Sequence, residues 1–487
     1  MWTNNRCLLA LIMVATIRVS LDTVGLRADD GVPPQDMESK CTAGMLKATR
    51  YMRTNVSVKG GYVYKVTLDL KQRWGEGVAT PTEIWVQPPG TPAVGMAFLK
   101  AYNATGKTEF LDAATECADA LLFGQLESGC WTDRIDFDPM GKNGGPYRHG
   151  NGNRKGKNYS TLDDDKSQSA LRLLISVDKA HQFKNERIHE AVLFGLDSLL
   201  KAQFANGGFP QGWQKAVESF PVVKASFPEY DWRTEGRFKN YWDFETLNDG
   251  LAGTVVKTLQ LAYETYGDQR YRKAMVKFGD FLILAQLPEP QPAWAQQYNH
   301  QLQPIWARRF EPPSVVGFES IDVIETLLLL SELTDDEKYL APIPSAIEWL
   351  KRSLLPDGQL ARFYELKTNR PLYLTKDTYE LTYDDSNLPT HYGFKSRPNI
   401  AKLEAKVTDR LAGKTSKGKS QTVSGLQGDA EKVLAQLDAS GRWVTNAKGQ
   451  PSMLFDGSDS SELFIESAVF VKNLNAMAAY VEVAKKP

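Results

Sequence analysis

Residues 199–213, LLKAQFANGGFPQGW, begin as the last turns of an amphipathic helix and then break at Asn206. Asn and Gly supply the left-handed residue that ends many helices, and Pro210 prevents the helix from resuming. Helix ends of the same kind recur at intervals of 78, 83 and 68 residues along the chain. They lie at Gln125, Gln203, Gln286 and Leu354.

Each of these helix ends is preceded by another helix and a short polar turn, such as NATGKTEF or TYGDQRY. Helix–turn–helix pairs are common in all-α proteins, but here the inner turn and the outer break recur in the same order. Self-similarity at a recurring interval is the sequence signature of a repeat architecture. The pattern predicts an all-α protein, an α/α toroid built as an incomplete α/α barrel of helical hairpins. Small strands are expected in the N-terminal region and in the loops.

The first residues of the chain are typical of a secretory signal. A basic Arg6 precedes an apolar run, residues 7–17, which is too short to span a bilayer. We therefore expect residues 1–28 to be a signal peptide and the protein to be secreted or periplasmic. A buried first helix is the alternative for this segment.

The rest of the 487-residue chain is long enough for one large domain, and its 42% of hydrophobic residues suffice for a core. Alternating patches such as GYVYKVTLDL predict short strands in an N-terminal segment, residues 29–90. The toroid is expected over residues 91–487, with a polar, exposed insertion near 406–428. A last helix, residues 463–483, is expected to close the ring.

The cysteine spacing and the net charge exclude several kinds of ligand and partner. Cys117 and Cys130 flank one helix end and could pair in an oxidising compartment, which would leave Cys41 unpaired. The chain has no C-x-x-C spacing, so a structural zinc site is not expected. A net charge of −1 gives no overall field that attracts nucleic acid or a membrane. We expect neither of these partners, and we expect a monomer.

Three consecutive aspartates, residues 163–165, stand at the start of a predicted helix. They follow a loop, residues 131–160, that is rich in glycine, asparagine and charge. A loop of this length in a compact domain is usually functional or disordered. The helix macrodipole alone favours negative charge at this position. Three carboxylates beside such a loop nevertheless favour contact with a metal ion or a substrate.

The long loops are expected to share one face of the toroid, where they offer three kinds of group. Cationic groups that could bind carboxylates, arginine by two-pronged hydrogen bonds, are Arg308, Arg309, Arg362, Arg370 and Lys376. Carboxylates that could hold a hard cation are Asp163, Asp164 and Asp249. Flat rings suited to sugars are Trp213, Trp242, Trp294 and Trp306. Together they suit an acidic polysaccharide, whereas the motifs of serine hydrolases, zinc proteases and NTPases are lacking.

Several motifs closely resemble those of the pectate lyases of polysaccharide lyase family 10. They are GGFPQGW, LNDG, PAWAQQY, PIWARRFEPPS, LPDGQLARFYELKTNRPLY and PTHYGF, and the resemblance covers roughly residues 90–395. It implies an α/α toroid, secretion, polygalacturonate as substrate and calcium as cofactor. It also implies β-elimination, in which a base removes the C5 proton, the C4 glycosidic oxygen leaves and an unsaturated uronide forms.

The resemblance assigns roles to individual residues. Arg308 in WARRFEP looks like the catalytic base, and Asp249 in LNDG looks like the main calcium ligand. Asp163 matches an aspartate on the substrate or calcium side, and Arg362 in ARFYE looks like a clamp on a substrate carboxylate. An arginine base conflicts with its pKa above 12. Calcium and neighbouring cations would have to favour the neutral guanidine.

The sequence departs from the family pattern at two positions and leaves one choice open. Asp164 stands where relatives often have Asn, which adds negative charge beside Asp163. Lys376 stands where relatives often have Arg, and an ammonium group cannot make the two-pronged hydrogen bonds of a guanidinium. Arg309 neighbours Arg308 and could hold the role of base instead. Arg370, Lys376, Asp164 and Trp213 are kept as expected substrate contacts.

Three other functions remain open on the same scaffold. A glycoside hydrolase could use Asp163 and Asp249 as acid and base, with the carboxyl groups about 5–9 Å apart. A non-catalytic binder of acidic glycans would hold the polymer without cleaving it. A terpenoid cyclase, which QFANGG and DDD suggest, fits least because its cavity would be apolar and these loops are charged.

Overall fold

The computed structural model describes residues 34–414, 422–446 and 463–485. The predicted signal peptide, residues 1–28, lies outside these described residues. Twelve α-helices lie within them, and the all-α class is confirmed. None of these helices combines the length and the apolar character that a membrane span requires. They are α1 (Pro34–Tyr51), α2 (Thr91–Thr105), α3 (Thr108–Phe123), α4 (Lys166–Ala180), α5 (Glu186–Lys201), α6 (Leu251–Tyr266), α7 (Gln269–Leu284), α8 (Gly317–Thr334), α9 (Ile343–Arg352), α10 (Ile400–Leu411), α11 (Val423–Ala435) and α12 (Ser467–Ala484).

The hairpins α2–α3, α4–α5, α6–α7 and α8–α9 follow one another around the ring. Their first helices pack side by side in the order α2, α4, α6 and α8, and α12 packs against α2. These inner helices are buried on most of their surface, as expected of helices with neighbours on several sides. The order is that of an α/α toroid, which confirms the predicted architecture. Helix α12 lies where the last, ring-closing helix was predicted.

The glutamines that end three of the hairpins make equivalent contacts. The Gln203 amide donates to the carbonyl of Gly207 and to the carbonyl of Ala274 in α7, each at 2.9 Å. Gln125 and Gln286 each make the same pair of bonds, one within their own loop and one to the next outer element. One side chain thus shapes the loop after a hairpin and ties it to the second helix of the following hairpin.

The N-terminal segment, residues 29–90, contains the predicted short strands but also a helix that was not predicted. Helix α1 buries Met37, Cys41, Met45 and Ala48, which recur at helical spacing and pack against α12. Small or flexible side chains interrupted by charge give a weak apolar signal, so the helix escaped notice. Since its core residues join the main core, this segment is packed onto the toroid.

Short strands cover the ends of the hairpins. The sheet β13-β14-β1-β2 joins the two ends of the described chain, with Val66 opposite Ile465. A second sheet has the order β11-β10-β9-β7, and three antiparallel pairs are β3-β4, β5-β6 and β8-β12. The strands are β1 (Lys65–Thr67), β2 (Arg73–Trp74), β3 (Glu83–Trp85), β4 (Arg134–Asp136), β5 (Ser160–Thr161), β6 (Gly212–Trp213), β7 (Val315–Val316), β8 (Leu360–Ala361), β9 (Phe363–Tyr364), β10 (Pro371–Leu374), β11 (Leu381–Thr382), β12 (Lys395–Ser396), β13 (Val444–Asn446) and β14 (Leu463–Glu466).

The predicted polar insertion, residues 406–428, overlaps the ends of two helices. Its first residues complete α10, which buries Ile400, Leu403 and Val407 and packs against α8 and α9. Its last residues begin α11, which packs against α1 and α12. The prediction of an exposed insertion was therefore wrong for these parts, because a narrow apolar stripe suffices for a helix packed on one side. Residues 415–421 lie outside the described residues.

The cysteines of the described chain are free thiols. Cys117 and Cys130 are both buried, and the disulfide considered between them is absent. Cys130 directs its sulfur towards the carbonyl of Gly195 in α5, at 3.5 Å, whereas Cys117 faces Gly95 in α2. Each thiol thus packs against a different helix.

Candidate active site

Two short 3₁₀ turns of the same shape carry the acidic residues. The turns Asp163–Asp165 and Asn248–Gly250 come directly before the inner helices α4 and α6. Asp164 and Asp249 hold equivalent places, with φ and ψ of 48° and 38° and of 53° and 41°. Asp, Asn and Gly tolerate left-handed backbone better than other residues, which suits the sequences DDD and NDG. Because α4 and α6 pack against each other, the two turns meet.

The meeting of the turns creates a cluster of three carboxylates. One oxygen from each of Asp163, Asp164 and Asp249 lies within 4.8 Å of the others. Burial, together with the negative charge of Asp164, raises the pKa of Asp249 to about 8. Burial and the charge of Asp163 raise the pKa of Asp164. The repulsion shows that the cluster needs a positive charge to hold all three groups ionised.

The carboxylate of Asp163 is held in place by an ammonium group and by a side-chain amide. Lys166, one helical turn later, places its ammonium 2.7 Å from one Asp163 oxygen, and Gln211 donates to the other at 2.6 Å. Gln211 is held there because it precedes β6, which pairs with β5 just before Asp163. Burial opposes ionisation, but Lys166 outweighs it and keeps the pKa of Asp163 below its usual range. Lys166 itself is buried, at 5% exposure.

Arg308 reaches the carboxylate cluster from the other side. Its Nη2 lies 3.4 Å from Asp249 Oδ2 and 2.8 Å from Glu311 Oε1. Burial would lower the pKa of Arg308, but the carboxylates of Glu311 and Asp249 raise it above its ordinary value. Arg309 turns away and donates to the carbonyl of Thr378 at 2.7 Å. Of the two neighbouring arginines, Arg308 is therefore the one at the cluster.

Arg362 forms the second cationic wall of the site. The pairing of β7 with β9 brings the start of α8 beside Arg362. The Nη2 atom of Arg362 lies 3.1 Å from Glu319 and 3.8 Å from Asp249. The guanidinium stacks over the Tyr392 ring, 4.1 Å from its centroid. The Nε atoms of both Arg308 and Arg362 are buried with no hydrogen-bond partner in the described chain. The site therefore holds two unused donors suited to a carboxylate oxygen.

The remaining predicted contacts do not touch the carboxylate cluster. Arg370 is exposed and stacks on Tyr383, 3.4 Å from the ring centroid. Lys376 is exposed, and its ammonium makes no ion pair within the described chain. Trp213 is buried, donates to Ser198 at 2.9 Å and lines a separate cavity of about 510 Å³.

The expectation that several tryptophans offer open ring faces was wrong in part. Trp294 and Trp306 are fully buried in the core. Their indole N–H groups donate to backbone carbonyls at 2.7 Å, so these rings hold the loops in place. Trp242 is partly exposed and remains available.

Sequence reasoning missed the groups that support the predicted ones. Lys166 and Glu311 lie three residues after Asp163 and Arg308, a spacing that brings opposite charges together in a helical turn. That signal was present in DDDK and RRFE. The others, which only tertiary packing brings in, are Gln211, Glu319 and Tyr392.

A divalent cation fits this site by the chemistry of its donors. Carboxylate oxygens are the ligands that Ca²⁺ prefers, and three are gathered here. Asn248, in the turn of Asp249, has a buried side-chain oxygen without a hydrogen-bond partner among the described residues. Asp164 and Asp249 are the better placed ligands, because both oxygens of Asp163 already accept bonds.

Residues 125–361, just under half of the chain, match the family model for pectic acid lyases. The matched part includes both acidic turns and Arg308, and it ends directly before Arg362. This match confirms the resemblance to pectate lyases that was drawn from the sequence motifs, and it supports an enzyme of the polysaccharide lyase class. No curated protein matches the chain.

Several solved structures are similar to this chain. A mutant family 10 polysaccharide lyase from Cellvibrio cellulosa, in complex with trigalacturonic acid, is 19% identical, with 66% of this chain and 98% of that chain covered and a TM-score of 0.45. A cellobiose 2-epimerase from Spirochaeta thermophila is 13% identical, with 93% and 98% covered and a TM-score of 0.44. These TM-scores are below 0.5, and the α/α toroid is assigned from the observed order of the helices.

Proposed function

We propose that this chain is a secreted, monomeric pectate lyase that cleaves polygalacturonate by calcium-assisted β-elimination with Arg308 as base. The products are 4,5-unsaturated oligogalacturonides. The observation that carries the proposal is the 3.4 Å approach of Arg308 to Asp249 within a cluster of three carboxylates. The trigalacturonic acid named with the Cellvibrio structure supports the same substrate class.

Asp164 and Asp249, with Asp163, would hold the calcium ion. When bound, calcium would neutralise the substrate carboxylate, which makes the adjacent C5 proton more acidic and stabilises the charge that develops as that proton leaves. The guanidinium of Arg362 would bind the same carboxylate and orient the sugar. Its stacking on Tyr392 and its bond to Glu319 restrict the guanidinium to one orientation.

Arg308 would take the C5 proton. In the described structure it is the counter-ion of Glu311 and Asp249, which favour its charged form. With Asp249 bound to a divalent cation, Arg308 would lose part of that stabilising negative charge and would face added positive charge. Both changes would favour the neutral guanidine. The C5–H electron pair then forms the C4=C5 double bond, and the C4–O4 bond breaks.

The test follows the ultraviolet absorbance of unsaturated uronides when the protein is incubated with polygalacturonate and calcium at alkaline pH. Arg308→Ala should lower the rate by about 10²–10⁴-fold, the range for a lost proton-transfer group. Arg309→Ala is the matched control, because Arg309 bonds a loop carbonyl away from the cluster, and it should stay active. Activity that survives Arg308→Ala in a folded protein would place the base elsewhere.

The glycoside hydrolase alternative fits the geometry less well. Retaining and inverting hydrolases need carboxyl groups about 5–5.5 Å and about 6.5–9.5 Å apart, on opposite sides of the bond. Here one oxygen from each of the three carboxylates lies within 4.8 Å of the others, so the groups are gathered together and are not set apart across a bond. Saturated reducing ends without a gain in absorbance would favour hydrolysis, and affinity without product would favour a binding protein.

Secretion and the monomeric state are tested separately. Mass spectrometry of the secreted protein should find an N-terminus near residue 29, as the signal-like residues 1–28 imply. An uncleaved chain retained in the cell would contradict secretion. Size-exclusion chromatography with light scattering should give the mass of one chain.

A further inference from the structure

A loop, residues 237–245, bridges the two sides of the candidate active site. At one end Arg237 pairs with the backbone of Trp306, two residues before Arg308. At the other end Glu245 pairs with Pro210, one residue before the Gln211 that bonds Asp163. The middle of this loop must therefore cross the gap between the Arg308 side and the Asp163 side.

Tyr241 lies in the middle of that loop, in the turn Tyr241–Asp243. The buried side chain of Gln297 donates to the Tyr241 carbonyl at 2.8 Å, and the Trp242 ring meets the phenol edge-on at 5.1 Å. Trp242 in turn contacts Tyr159. The phenol is thus held in place and half-buried, yet its hydroxyl has no hydrogen-bond partner in the described chain.

Charged groups of the candidate active site act on this phenol. They are Arg308, Glu311, Asp163 and Asp249. Burial raises the pKa of Tyr241 to about 12, although Arg308 opposes the shift. The phenol is therefore protonated at neutral and mildly alkaline pH, and it is a neutral proton donor on the loop that bridges the two sides of the site.

We propose that Tyr241 is the catalytic acid, which gives its phenolic proton to O4 as the C4–O4 bond breaks. The inference rests on the proposed lyase function and deepens it, since β-elimination leaves O4 with the electron pair of the broken bond. Arg308 takes the proton from C5, and O4 takes the proton from Tyr241. The phenolate then regains a proton from the guanidinium of Arg308, which returns both groups to their starting forms.

The test compares Tyr241→Phe with the wild type on two substrates. On polygalacturonate, kcat should fall by about 10²–10³-fold with little change in KM, the loss expected for one proton donor. On a galacturonide whose O4 carries a nitrophenyl group, the variant should approach the wild-type rate, because a nitrophenolate leaves without a proton. Tyr230→Phe is the control, since this hydroxyl on the preceding part of the chain donates to the Pro304 carbonyl at 3.5 Å.

The possible outcomes distinguish a catalytic role of Tyr241 from a structural one, and they distinguish failure of that role from failure of the proposed lyase function. Equal losses on both substrates, in a variant whose circular dichroism and melting temperature match the wild type, would overturn the proposal. An unchanged kcat on polygalacturonate would overturn it as well. If the wild type forms no unsaturated product from either substrate, the lyase function fails, and the role of Tyr241 fails with it.

Discussion

Calcium affinity should depend steeply on pH because of the crowding of the three carboxylates. The pKa of Asp249 is raised to about 8, chiefly by burial and then by the charge of Asp164. Below pH 8 a proton occupies Asp249, and the cation must displace it. For one such group the apparent affinity should fall about fiftyfold from pH 8 to pH 6. At pH 7, binding should release about 0.9 proton per calcium ion.

Asp164→Asn should change this dependence without disturbing the turn, because Asn also tolerates the φ of 48° at this position. The change removes the negative charge that, after burial, contributes most to the raised pKa of Asp249. The pH range over which calcium affinity rises steeply should therefore move to lower pH. Above pH 8 the variant should bind calcium more weakly than the wild type, because it has one carboxylate ligand fewer.

The assay is isothermal titration calorimetry with calcium at several pH values, in two buffers with different ionisation enthalpies. Asp165→Asn is the matched control, since Asp165 lies in the same turn with φ of 62° but pairs with Arg172 outside the cluster. It should keep the wild-type pH curve. A wild-type affinity that is constant from pH 6 to pH 8, without proton release, would refute the reasoning.

Three further predictions concern stability. Gln203→Ala should lower the free energy of unfolding by roughly 1–3 kcal/mol in urea denaturation, because two buried carbonyls lose their donor; no loss would mean that water replaces the amide. Arg362→Met should lower the unfolding free energy by about 3 kcal/mol by leaving the buried Glu319 unpaired, and adding Glu319→Gln should recover part of the loss in thermal denaturation. Burial raises the pKa of Asp322 to about 6, so its contribution favours folding below pH 4 and is lost as the pH rises through 6. The control Asp322→Asn keeps an acceptor for the Gly253 amide. Between pH 4 and pH 6 the free energy of unfolding of the wild type should fall relative to that of this variant, and parallel pH dependences would contradict the prediction.

The helical repeat could be predicted because each helix end is encoded by residues that are neighbours in the sequence. Each hairpin needs a helix end, and Gln203-Phe204-Ala205-Asn206-Gly207 contains both the chain break and the amide that makes the equivalent bonds. That Asp163 and Asp249 belong to one site was predicted from the shared loop face and from the family resemblance, since periodicity alone does not say which loops meet. The structure supplies the physical reason, which is the packing of two equivalent turns.

The supporting residues depend on tertiary packing and were harder to foresee. Gln211 reaches Asp163 only because β5 pairs with β6, and Glu319 reaches Arg362 only because β7 pairs with β9. Two-residue strands of this kind have too few side chains to show an alternating pattern. Trp306 looked like a sugar platform because an aromatic ring in a polar loop has the same sequence signature whether it faces solvent or the core.

The recurrence of one turn at the start of two adjacent helices has a consequence for how the chain can change. The axes of helices in contact lie about 8–10 Å apart. A carboxylate in the turn before one helix therefore lies close to the equivalent carboxylate in the turn before the next helix. The spacing of these carboxylates is set by the scaffold, whereas the predicted sugar contacts lie on the loops beyond them. Changes in the length or sequence of those loops should therefore alter the proposed polymer contacts and leave the spacing of the proposed calcium ligands unchanged.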